Sequence, residues 1–190
     1  MPKRIADKDL FGNRLPVRRP RYEASLEATD KQSLPERAAR LRWLSGVIPR
    51  VVMIGLSIET AIVLEETKRS FVDGNCVAVV VLASAFMEHW FGGNLTALGY
   101  QKEASRGLAA SIKCARANKL VDPLILDKAD RLRLIRNPFV HLKDYDHEFA
   151  VGQRMMKPRP QDIASMLDND AKDAVIAMVA VATYRFAVKQ

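Results

Sequence analysis

The sequence predicts an all-α protein, an antiparallel helical bundle of four to five main helices preceded by an N-terminal arm. Three observations predict it. The apolar load is aliphatic, with 48% hydrophobic residues and only 7% aromatic ones, a composition that suits helices packed on helices. Two long apolar runs, "VAVVVLASAF" from Val77 and "AVIAMVAVATY" from Ala174, are flanked by helix start and stop signals. No stretch alternates with strand period, and no hairpin dipeptide lies between β-branched runs.

The elements follow in order. Residues 1–48 read as a basic arm with a short helix, and residues 49–190 as the bundle. Ser33, followed three residues later by Glu36 in "SLPERAARL", predicts a capped helix start. A long helix is expected over Pro49–Val72, stopped by Asp73 and Gly74. The next begins near Asn75 and is apolar nearly all round up to Phe86, which predicts the most buried element. Ser84 and Glu88, four apart, share a face of it that reads as solvent-facing. His89 and Trp90 read as core or boundary packing. A third helix is expected over Lys102–Lys119. Asp122 then caps a fourth, with Pro123 at its first position. A last helix is expected over Asp168–Val188.

Composition narrows the function classes. The apolar runs fall short of the roughly 18 to 20 residues of a membrane span, and "MPKRIADKDLFG" lacks the apolar segment of a signal peptide. Cys76 and Cys114 have no framework spacing, so reduced thiols in a cytoplasmic protein are expected. No glycine-rich phosphate loop, zinc spacing, Glu-x-x-His pair or Gly-x-Ser-x-Gly elbow occurs. No cofactor and no metal are therefore expected. Net charge is concentrated at the start: residues 1–50 hold 12 Lys/Arg against 6 Asp/Glu. Arg18, Arg19 and Arg21 of the arm, with Arg133 on the fourth helix, are the candidate phosphate contacts for a nucleic-acid partner.

The most informative stretch is "LRLIRNPFVHLKDYDHEF", Leu132–Phe149, which holds two of the chain's three histidines. Asn137 precedes a proline and is pushed out of the α region, and Pro138 has no amide to donate. The helix is expected to end or kink at Arg136. On an unbroken helix Arg136 and His141 lie about 140° apart; a break at Asn137-Pro138 would turn both toward one spot. There, a permanent guanidinium fits phosphate oxygens and an imidazole can move a proton near neutral pH. Together they suit attack of a ribose 2′-hydroxyl on its own phosphodiester without metal. One histidine cannot be both base and acid in a single step, so two facing copies, a homodimer with a shared site, are expected. Asn137 would position one of the pair, and Glu88 would line the cleft and orient Arg136. His147, among Asp144, Asp146 and Glu148, reads as part of a solvated acidic loop.

At Arg136-Asn137-Pro138-Phe139-Val140-His141 the chain resembles the HEPN superfamily, helical bundles with an Arg-x(4–6)-His motif near the end of a late helix. The resemblance covers about residues 50–188. It implies a metal-independent endoribonuclease acting on RNA as a homodimer, in a toxin–antitoxin, phage-defence or RNA-processing setting, with a cognate antitoxin or regulatory protein as a further partner. It also implies the alternative, a catalytically silent module for dimerisation or partner docking.

Overall fold

The apolar run after Asn75 becomes α3 (Cys76–Ala97), the helix around which the others assemble. The structure, a computed structural model, describes residues 21–49, 57–156 and 162–184. These form α1 (Arg21–Val47), α2 (Ile58–Asp73), α3, α4 (Gln101–Ala104), α5 (Leu108–Ala117), α6 (Pro123–Val140), α7 (Val151–Met155) and α8 (Ile163–Thr183). No strand occurs among the described residues. α3 touches α2, α4, α5, α6 and α8, while α6 touches α5 on one side and α8 on the other. The side chains of Val79, Val80, Phe86, Met87, Phe91 and Leu95 on α3 are fully buried. Ser84 is buried with them, and its hydroxyl has no hydrogen-bond partner among the described residues. The solvent-facing position expected for it is therefore corrected: a helix enclosed on so many sides has little face left for water.

Residues up to Ala38 and from Ala39 onward are two separate units. In the first, the helix starts at Arg21 and runs through Ser33 and Pro35. The expected start at Ser33 is corrected, because the Ser33 hydroxyl donates to the Asp30 carbonyl (3.3 Å) instead of accepting the Glu36 amide. Arg37 pairs with Asp30 at 3.3 Å across this stretch. In the second unit, Trp43 stacks on Phe71 with ring centroids 4.9 Å apart.

Helix ends follow local chemistry more closely than the expected ranges did. α2 begins only at Ile58, where the Ser57 hydroxyl accepts the Thr60 amide at 3.2 Å; residues 50–56 of the range expected for it lie outside the described residues. It stops at Gly74 in the left-handed region (φ 79°), with the Gly74 amide on Phe71 and the Asn75 amide on Ser70. The single helix expected over Lys102–Lys119 is instead α4 and α5, separated at Gly107. Gly107 has φ 86° and ψ 178°, a conformation essentially reserved for glycine. α6 begins as expected, with the Asp122 carboxylate accepting the Leu124 amide at 2.7 Å. α8 starts at Ile163, five residues before the expected Asp168, because Asp162 is its N-cap. Hydrogen bonds from Ser165 hold the Asp162 carboxyl below the usual range. Asp168 lies inside α8 and pairs with Lys172 (2.7 Å) and Arg40 (3.6 Å).

By length and composition α3 could cross a membrane, since the helix continues well past the apolar run that ends at Phe86. An internal helix carries the same signature, and 44% of its apolar window is buried inside the fold. Cys76 is half-buried and Cys114 buried, both free; loss of water pushes both thiols above their ordinary range.

Candidate active site

α6 presents Leu126, Ala129, Leu132 and Ile135 to the core, and half-buried Phe139 packs against it one turn later. This anchors the helix to its end. α6 does not stop at Arg136 as expected; it passes through Asn137 and Pro138 and ends at Val140. Pro138 has no amide for the Leu134 carbonyl, yet the helix continues for two residues beyond it, with Phe139 packed on the core. The His141 amide closes that turn on the Asn137 carbonyl at 2.9 Å.

Arg136 and His141 meet for a different reason from the expected break. His141 leaves the helix in an extended conformation (φ −133°, ψ 135°), which frees its ring from the helical offset of about 140°. Arg136 Nη1 then lies 3.4 Å from His141 Nε2. A guanidinium can only donate, so a hydrogen bond here requires the imidazole nitrogen to accept. Arg136 Nη1 is also 3.5 Å from Asn137 Oδ1. Its other terminal nitrogen is 3.7 Å from Glu88 Oε2 on α3, ion-pair range but too long for a hydrogen bond. The Arg136 side chain is 19% exposed and Glu88 41%, whereas His141 is exposed. The cluster is a half-sunk cation between a carboxylate and an open imidazole.

The other Glu88 oxygen lies against Gly107, which begins α5: a Cβ added there would stand 3.6 Å from Oε1. This neighbour was missed in the sequence, where a lone glycine between Arg106 and Leu108 carries no motif. Gly107→Ala is expected to destabilise the fold by about 1–3 kcal/mol, measured as a lowered midpoint in urea, because alanine cannot hold that backbone; Gly93→Ala, in a helix with open space, is the matched control.

The remaining candidates are scattered. Arg18 and Arg19 lie outside the described residues. Arg21 is exposed at the start of α1. Arg133 is bound within its own helix, Nε to Asp130 at 2.8 Å, so much of its charge is already answered. His89 is exposed, not packed as expected, while Trp90 is buried edge-to-face on Phe91 at 5.2 Å. His147 is half-buried, and its Nδ1 accepts the Phe149 amide at 3.3 Å, so it folds the loop after α6 instead of standing in water. Among the described residues no group of three or more His, Cys, Asp or Glu could hold a metal ion. No family model, no curated protein and no solved structure matches this chain.

Proposed function

We propose that the chain is a metal-independent endoribonuclease that cleaves RNA by attack of a ribose 2′-hydroxyl, with Arg136 and His141 at its centre. The observation that carries the proposal is the 3.4 Å approach of the Arg136 guanidinium to the His141 imidazole at a solvent-reachable helix end. As the phosphate draws the Arg136 guanidinium off Nε2, the freed His141 nitrogen takes the 2′-hydroxyl proton, the 2′-oxygen bonds to phosphorus, and the bond to the 5′-oxygen breaks. The products are a 2′,3′-cyclic phosphate and a 5′-hydroxyl. Arg136 offsets the charge that grows on the phosphoryl oxygens. Glu88 and Asn137, on either side of the guanidinium, orient it.

The second proton, needed by the leaving 5′-oxygen, comes from the His141 of a second copy. Val140 and Leu142, which flank His141, and Tyr145 in the loop that follows support this pairing: they are 40%, 102% and 87% exposed, apolar surface that association would cover. The same surface favours a second reading, a silent module that docks a partner, and a neutralising antitoxin would occupy it in a toxin–antitoxin setting. Cleavage decides between them. Purified protein in excess EDTA is expected to cut single-stranded RNA and leave cyclic-phosphate ends. Wild type without activity, or activity equal to that of His141→Ala, would leave the module.

A further inference from the structure

We infer that the outer face of α4 and α5 is the track along which the backbone of a single-stranded RNA runs into the Arg136–His141 site. The inference rests on the ribonuclease proposal for its end point, while its own observations are separate. Residues 101–120 hold five Lys/Arg against one carboxylate. All five, Lys102, Arg106, Lys113, Arg116 and Lys119, are exposed. Among the described residues only Arg116 is answered by a carboxylate, Asp127 at 2.8 Å. The α8 flank of α6 is not a second such face: residues 162–184 hold four Asp and one Lys, that lysine is tied to Asp168 at 2.7 Å, and Lys128 and Arg131 of α6 share their groove with Asp173.

The basic face begins at the site. Gly107, next to Arg106, touches the Glu88 carboxylate that in turn faces Arg136. Arg106 precedes α5, and the ten residues of α5, with Lys113 and Arg116 among them, span about 15 Å at 1.5 Å per residue, room for several nucleotides. Lys119 adds an independent sign. It follows α5 at φ 53°, in the left-handed region, with the Leu120 amide closing on Ala115 at 2.9 Å. Glycine or asparagine is usual in that position. A lysine held there against backbone preference points to a use for its ammonium group.

Affinity is read with a labelled 20-nucleotide oligouridylate in the His141→Ala background, where the RNA stays whole, and cleavage in the wild-type background. The triple variant Arg106→Gln/Lys113→Gln/Lys119→Gln is expected to weaken binding by about 100-fold at about 0.1 M salt and to lower the slope of log K against log salt by about 2, at about 0.7 per lost contact. KM should rise with kcat unchanged. Lys119→Gly alone should raise Tm yet weaken binding. The control removes as many cations from α2 and α8, Lys68→Gln/Arg69→Gln/Lys172→Gln, all of which are ion-paired, and should bind nearly as wild type. Equal losses in both triples would reduce the effect to net charge and overturn the track. Unchanged affinity with cleavage intact would overturn the track and spare the ribonuclease proposal. Binding through α5 without any cleavage would do the reverse, and no binding at all would end both.

Discussion

Arg154→Ala is expected to destabilise the protein by about 3–5 kcal/mol, the cost of stranding one member of a buried ion pair. Arg154 lies on α7 and Asp170 on α8, with side chains 13% and 5% exposed. The fork is bidentate, Nη1 to Oδ2 and Nη2 to Oδ1, both at 2.6 Å. Removing the guanidinium leaves the Asp170 carboxylate buried without its cation. α7 has five residues, far too few to hold helical form alone, so the loss also unmoors the segment that returns from His141. For a chain of this size about 1 kcal/mol corresponds to 2–4 °C, so Tm should fall by roughly 6–20 °C. Asp170→Asn should act in the same direction. The double variant Arg154→Met/Asp170→Leu should recover most of the loss, since two apolar side chains need no partner there. A drop below about 1 kcal/mol in Arg154→Ala, or a double variant no better than the single, would mean that α7 is held by other contacts.

That ion pair was illegible in the sequence, and the reason is general. It joins residues 16 positions apart, one of them on a helix too short to leave a periodic pattern. Where a signal is local and chemical, the chain can be read directly. The run after Asn75 announces the central helix, Gly74 its predecessor's end, and Asp122-Pro123 the start of α6. Where two local signals compete, reading fails. Ser33 looks like a cap but serves a carbonyl of its own helix, and Pro138 looks like a terminator but falls where only two helical residues remain. The last helix was expected from Asp168, yet Asp162 caps it at Ile163. The candidate site divides in the same way. The spacing of Arg136 and His141 marked the residues, whereas their meeting depends on Phe139 anchoring α6 to its end and on His141 turning extended immediately after.

The largest effect on activity is expected at that pair. His141→Ala should lower kcat by about 10²–10⁴-fold, the range for losing a proton-transfer group, and His141→Gln should not restore it, because an amide has no basic nitrogen. Neither should move stability beyond about 0.5 kcal/mol, since the residue is exposed; this separates a chemical role from a packing one. Arg136→Lys should also fail, since an ammonium cannot face Glu88, Asn137 and a phosphate through a planar fork. Glu88→Gln removes only a partly exposed partner at 3.7 Å, about 1 kcal/mol at most, or roughly fivefold. The ordering His141 and Arg136 far above Glu88 follows from geometry alone.

Mixing then tests the shared site. A dimer of wild type with His141→Ala keeps both guanidinium groups but only one imidazole. If the two copies supply base and acid to one centre, an excess of His141→Ala should silence the wild-type chains it pairs with, and cleavage should fall well below the wild-type share. If each chain works alone through its own 3.4 Å contact, cleavage should simply follow the amount of wild type, and the second proton must come from solvent.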